Sequence, residues 1–244
     1  MSSAVKPFLM IPDVERARFE MSWLQSAYVF SHSSYYNPTR MGFGTLRVLN
    51  EEVVSGNAGF TEHEHKNMEV LTLVLTGEMR VESEGKKPII VGENEIFYLS
   101  SGSGVVHAER NNSKTEEMSF IQFYLSPREK ESKPKHGVKH FKPAGSLNAL
   151  QCIASPNGVD SSFAIKQEAY VYQSNLESGK TISFLSDDPE NFQFVFVMEG
   201  SMQVGENHLE AKDSICLKKA EKLLLEANTD CKFLLMDLPA KAVR

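Results

Sequence analysis

The chain of 244 residues carries 26 Lys and Arg against 32 Asp and Glu, a net charge of −6 with His neutral, and 41% of its residues are hydrophobic. That length suits one large domain or two small ones with real cores, and the acidic balance argues against direct nucleic-acid binding, which favours basic surfaces. No apolar run approaches the ~20 residues that span a bilayer; residues 1–13 lack the basic start and long apolar core of a signal peptide; and Cys152, Cys216 and Cys231, far apart and without a CxxC pair, read as reduced thiols of a cytoplasmic protein.

Tyr28, Phe30, Tyr35 and Tyr36 come first, an aromatic set that reads as core or as a pocket wall. His63-Glu64-His65 follows, two imidazoles at i and i+2. Residues 68–75 are rich in branched aliphatics and stop at Thr76-Gly77; residues 78–82 alternate polar with apolar, and the two runs together predict a hairpin. Residues 88–91 and 95–99 read as strands. A loop, Ser101-Gly102-Ser103-Gly104, then leads into His107-Ala108-Glu109, and 118–125 is a further strand. Residues 126–142, with Pro127, Pro134, Gly137 and the lysines Lys130, Lys133, Lys135, Lys139 and Lys142, read as a solvated linker. Beyond it a second β-rich pass runs through 192–197, 201–204, 208–210, 213–217 and 232–237. Closely spaced strands without helices between them predict an all-β barrel or sandwich.

The two passes resemble each other. Gly77, Met79 and Val81 align with Gly200, Met202 and Val204, which sets His63 against Ser186 and His65 against Asp188. A slightly smaller offset aligns Ile96 with Ile215 and sets His107 against Glu226 and Glu109 against Asn228. The second copy keeps the scaffold and loses the histidines.

Residues two apart on a strand share a face. Adjacent strands carrying HxH and HxE would therefore aim His63, His65, His107 and Glu109 at one point. Three imidazoles and a carboxylate suit a catalytic transition metal such as iron, with positions left open; the alternative is a set of solvated or hydrogen-bonded histidines. Glu69 is a further ligand, an acceptor that orients a histidine, or a carboxylate paired with a nearby Lys or Arg; support or structure is favoured, since four donors are already present. His32, His136, His140 and His208 read as surface or packing residues.

Several longer segments resemble the pirin family of the cupin superfamily. Met41-Gly42-Phe43-Gly44-Thr45-Leu46-Arg47-Val48-Leu49-Asn50-Glu51 resembles its FGxLRVxN(D/E) strand. Gly59-Phe60-Thr61-Glu62-His63-Glu64-His65-Lys66-Asn67-Met68-Glu69-Val70 resembles GFxxHxHRDMEI, and Leu99 to Glu109 resembles MSAGxGVxHSE. The second half, from Leu150 to Pro239, looks like the short degenerate cupin of bacterial pirin-like quercetinases. This resemblance implies an all-β bicupin of two β-barrels: residues 1–126 a metal-binding cupin, 127–147 a linker, and 148–244 a cupin without a metal site. It also implies one divalent transition metal, iron(II) as the usual ion with other divalent ions accepted by related quercetinases, held by His63, His65, His107 and Glu109 but not by Glu69. The activity implied is that of quercetin 2,3-dioxygenase, with a flavonol and dioxygen as partners and Glu109 as proton acceptor. An alternative implied by the same family is a metal-dependent regulator that binds a transcription factor or a metabolic enzyme; a metal-stabilised scaffold is the third. Lys66, Asn67 and Ala108 depart from the family's Arg, Asp and Ser without removing a ligand, and bear on substrate identity.

Overall fold

The computed structural model describes residues 7–219 and 222–240; the first six residues, read above for a leader, and the last four lie outside them. Strands carry nearly all of the regular structure, with 3-10 turns at Asp13–Glu15, Pro143–Gly145 and Val159–Ser161. No helix among the described residues is long and apolar enough to cross a membrane.

Each half pairs a seven-stranded sheet with a four-stranded one. In the first half the large sheet runs Lys135–His140, Glu95–Ser100, Glu69–Thr76, Met118–Leu125, Leu46–Val54, Leu24–Tyr28 and Ala17–Glu20, and the small one Gly59–His65, Val105–Asn111, Met79–Glu82 and Ile89–Val91. In the second half the large sheet runs Leu9–Ile11, Ser214–Lys218, Phe192–Glu199, Cys231–Leu238, Tyr170–Leu176, Gln151–Ser155 and Phe163–Ala164, and the small one Thr181–Leu185, Lys222–Ala227, Met202–Val204 and Asn207–Leu209. The small sheets have the same strand order, and the centres of the large ones match strand for strand. This is the all-β bicupin that the sequence predicts.

Three cores explain the hydrophobic pattern. On Glu69–Thr76, Val70 and Val74 point into the first barrel with Phe97 and Phe120. Leu71 and Leu73 point the other way, into a core shared between the halves that includes Phe194, Phe196, Leu234 and Met236. Val195, Val197, Phe233 and Leu235 fill the second barrel. Central strands of the large sheets, such as Glu69–Thr76 and Phe192–Glu199, are thus buried on both faces and read as nearly uninterrupted apolar runs. A strand of the small sheet such as Lys222–Ala227 alternates exposed and buried residues, as one wet face requires.

Two local expectations are corrected. Glu69–Thr76 and Met79–Glu82 do not pair; the first lies between Glu95–Ser100 and Met118–Leu125, the second between Val105–Asn111 and Ile89–Val91. Gly77, with φ 76°, carries the chain from one sheet to the other, a left-handed conformation that favours glycine. The stretch read as a linker contains a strand, Lys135–His140, paired along its whole length with Glu95–Ser100. Lys139 is held rather than solvated: its Nζ donates to the Ser161 and Ser162 carbonyls at 2.8 Å each and lies 4.8 Å from the Phe163 ring centre. Leu9–Ile11, near the start of the chain, adds to the edge of the second half's large sheet.

Candidate metal centre

Gly59–His65 and Val105–Asn111 pair antiparallel, with His63 opposite His107 and His65 opposite Val105. Strand alternation turns His63, His65 and His107 into the first barrel, where their ring centres stand 4.8 to 5.0 Å apart. The Nε2 atoms of His63 and His65 are 3.0 Å apart, and one donor nitrogen from each ring lies within 4.8 Å of the others. His63 donates its Nδ1–H to the Thr61 carbonyl at 2.8 Å, which leaves the Nε2 lone pair facing the cluster. Nε2 of His107 is buried with no hydrogen-bond partner. An orphaned polar atom of that kind is rare in a folded interior, and here it points among two other ring nitrogens. Burial, reinforced by the neighbouring rings, pushes His65 down to about 4 and His107 down to about 3. Both imidazoles are therefore neutral lone-pair donors at ordinary pH, and the set fits a divalent transition ion.

Glu109, the fourth expected donor, lines the same cavity and is 3% exposed. Its carboxylate lies outside the compact three-nitrogen group. A shift in ladder register separates it from His107: His107 faces His63, but Glu109 faces Phe60. Gln122 Nε2 donates to both Glu109 oxygens, at 3.1 and 3.2 Å, and to Thr72 Oγ1 at 2.9 Å. Tyr124 donates its hydroxyl to Gln122 Oε1 at 2.7 Å, which fixes which end of the amide faces Glu109. Burial raises the proton affinity of Glu109, against the pull of His63 and Gln122.

Glu69 stands apart from the cluster. It accepts from the Tyr98 hydroxyl at 2.5 Å, the Ser100 hydroxyl at 2.6 Å and the Lys166 N–H at 3.0 Å. The last of these comes from the second half, so this carboxylate ties the two halves together.

The histidines open on a cavity of about 650 Å³, within the range of small-molecule sites. Trp23 and Phe60 meet edge to face at 5.4 Å on one side, and the Tyr124 ring stands 5.4 Å from His65 on another. His32, expected on the surface or in packing, lines this cavity between the rings of Tyr28 and Tyr124, and burial lowers its pKa. Glu52 is a lining residue that the sequence reading missed. Ser26 donates its hydroxyl to it, and burial pushes its carboxyl up to about 7 in spite of that bond. A signal existed: Gln122 and Tyr124 are polar residues at i and i+2 on an otherwise apolar strand, and Glu52 shares a face with Asn50 on the next one. His136 and His140 sit on the edge strand Lys135–His140, and His208 bonds Glu210 at 2.7 Å; none joins the cluster.

In the second barrel the ladders correct the alignment of the two copies. Glu109 sits opposite Val81, and Leu225 sits opposite Val204. Glu109 therefore corresponds to Leu225 rather than Asn228, and His107 to Leu223 rather than Glu226. His63, opposite His107, corresponds to Phe184, opposite Leu223, rather than to Ser186. Phe184, Leu223 and Leu225 all belong to the buried apolar core of that barrel. Among the described residues no second group of three His, Cys, Asp or Glu donors converges as His63, His65 and His107 do.

Residues 11–125 match the family model described as Pirin, and residues 152–238 match that of the quercetinase C-terminal cupin domain. An Escherichia coli (strain K12) protein named quercetin 2,3-dioxygenase is 29% identical over 228 residues, covering 92% of this chain and 96% of its own length. A relative from Pasteurella multocida (strain Pm70) is 30% identical over 220 residues, covering 88% of this chain and 92% of its own. The crystal structure of the bacterial pirin YhhW from Escherichia coli in complex with nickel(II) superposes with a TM-score of 0.90 at 28% identity, covering 95% of this chain and 98% of that one.

Proposed function

The chain belongs to the pirin family, and from that premise we propose that it is a metal-dependent dioxygenase of the quercetin 2,3-dioxygenase kind, which opens the heterocyclic ring of a flavonol with dioxygen and releases carbon monoxide. In this reading residues 1–126 form the working cupin, 127–147 connect it onward while Lys135–His140 adds an edge strand to its large sheet, and 148–244 form a metal-free barrel that braces it. His63, His65 and His107, with Glu109 as fourth donor, hold one divalent ion, which we take to be iron(II); the nickel(II) complex of the similar Escherichia coli pirin supports a divalent transition ion in this barrel. When bound, the ion supplies Lewis acidity toward the flavonol 3-hydroxyl and a redox partner for dioxygen.

The chain's own groups do the rest. Glu109 accepts the 3-hydroxyl proton on a carboxylate oxygen, and its burial makes it a stronger base than a free glutamate. Gln122 holds that carboxylate in place through its Nε2–H groups, while Tyr124 holds Gln122. Trp23 and Phe60 offer apolar faces and edges to a flat ring system and exclude water from it. The observation that carries the reading is the unpartnered Nε2 of His107 at the convergence of three imidazoles. Metal-loaded protein mixed anaerobically with quercetin and then exposed to oxygen is expected to consume the flavonol and release carbon monoxide. An unchanged flavonol spectrum at full metal occupancy would refute the proposal.

A further inference from the structure

Among the described residues, three carboxyl side chains besides Glu109 are almost completely buried: Glu69, Asp237 and Glu52. Two of them accept three hydrogen bonds each. Glu69 accepts from Tyr98, Ser100 and the Lys166 N–H. Asp237 accepts from the Ser186 hydroxyl at 2.7 Å and from the amides of Gln193 and Asn191 at 2.9 and 3.1 Å. An ionised carboxylate has about four lone-pair sites, and a buried one short of donors is costly. Glu52 has fewer. The Ser26 hydroxyl donates to its Oε2, and Asn50 adds a side-chain contact. Of the three, Glu52 alone lines the cavity that holds the histidines.

Its place in the sheet is fixed. Glu52 pairs with Ser26 on one side and Phe120 on the other, one step along the ladder from Asn50, which pairs with Gln122. Glu52 and Gln122 thus stand on one wall of the cavity, from which Gln122 reaches Glu109 on the other sheet. In the empty cavity water can meet the spare acceptor sites of Glu52. A flat aromatic ligand displaces that water, and the carboxyl is then left short of donors unless the ligand brings one.

We propose that Glu52 is a specificity-determining residue that accepts a hydrogen bond from a phenolic hydroxyl of the substrate other than the one that reacts, so that the site selects polyhydroxylated flavonols over the bare ring system. The assignment rests on the flavonol reading of the same cavity. It follows the rule that a site built to pair a substrate hydroxyl discriminates strongly against the analogue lacking it.

Trp23, the only tryptophan of the chain, lines the cavity too, so its fluorescence reports occupancy without turnover. Metal-loaded protein is titrated under nitrogen with quercetin and with 3-hydroxyflavone, which keeps only the reactive hydroxyl. Well above pH 7, where Glu52 is ionised, wild type is expected to prefer quercetin by about tenfold or more, the worth of a hydrogen bond to a charged acceptor. Glu52→Leu is expected to bring that preference to within about twofold while leaving the 3-hydroxyflavone Kd nearly unchanged. Glu52→Gln, which keeps the shape and an acceptor for Ser26, is expected to lower the preference at least about threefold, and it decides the matter if the leucine variant does not fold. An unaltered preference in Glu52→Gln, or an equal loss of affinity for both probes, overturns the assignment and leaves the flavonol reading standing. Absence of quenching by either probe in wild type overturns both.

Discussion

Replacing Glu69 separates its role from that of the histidines. Glu69→Leu removes the acceptor of the Tyr98 hydroxyl, the Ser100 hydroxyl and the Lys166 N–H. A buried donor left unsatisfied costs about 1–3 kcal/mol. Tyr98 and Ser100 are 1% and 2% exposed, so neither regains water, but the serine hydroxyl can rotate toward another acceptor. The Lys166 amide lies in a partly buried bond and regains some hydration. Removing a buried charge returns part of the loss, and the net is about 3 kcal/mol of destabilisation. Glu69→Gln keeps the shape and gives up charge assistance in two or three bonds, about 2 kcal/mol. For a chain of this size 1 kcal/mol moves Tm by about 2–4 °C, so the leucine variant is expected to melt about 6–12 °C lower. Urea and thermal unfolding of metal-free protein give the stability, and elemental analysis of folded, metal-loaded variants gives the ion content, which is expected to equal that of wild type. A leucine variant within about 1 kcal/mol of wild type, or a folded variant without its ion, would refute the reasoning.

Three other outcomes follow from named groups. His63→Ala is expected to lose the bound ion in elemental analysis while remaining folded, because it removes a donor and no core packing. Relative to a His65→Gln/His107→Gln double variant, which keeps every buried carboxyl, metal-free wild type is expected to lose stability as pH falls from about 6.5 toward 3: His65 and His107 take up protons at about 4 and about 3 when folded, but near 6.5 when unfolded, so these two groups bind more protons in the unfolded chain in that window. Each histidine contributes about 3 kcal/mol or more to the difference, and a constant gap between the two unfolding midpoints from about pH 6.5 to 4 would contradict this. Gly200→Ala is expected to cost more than Gly77→Ala, although both glycines have φ 76°. A Cβ at Gly200 would stand 2.1 Å from the Asp230 carbonyl oxygen, whereas at Gly77 the nearest contact is 3.1 Å. About 1–2 kcal/mol is the backbone penalty common to both, and equal urea midpoints would show that the Asp230 turn yields freely.

The convergence of His63, His65 and His107 was legible because strand alternation is a strict rule: HxH on one strand and a histidine on its neighbour must converge if the strands pair. What lay outside that rule was harder to read. Hydropathy shows where a strand runs but not which sheet it joins, so Glu69–Thr76 and Met79–Glu82 looked like a hairpin although Gly77 sends them to different sheets. Register is equally hidden. The alignment that set Ile96 against Ile215 is one residue out, since Ile96 pairs with Leu73 and the equivalent Phe196 pairs with Ser214. A slip of one turns a side chain to the opposite face, and slightly different connections in the two copies give no warning of it. Lys135–His140 escaped notice because an edge strand with one wet face and many lysines carries little apolar signal. Glu52 and Gln122 were overlooked because polar residues within a strand acquire meaning only when the closed barrel shows which of them face its interior.

Leu9–Ile11 leaves the half in which most of the early chain folds and completes the sheet of the other, beneath a core to which both halves contribute. Severed from each other, the twin lobes would bare a greasy wall, and the later one would also forfeit a border strand. Such mutual dependence makes the later lobe a buttress: where its sibling has His63, His107 and Glu109 it carries Phe184, Leu223 and Leu225, and the place of a donor set is taken by packed apolar side chains.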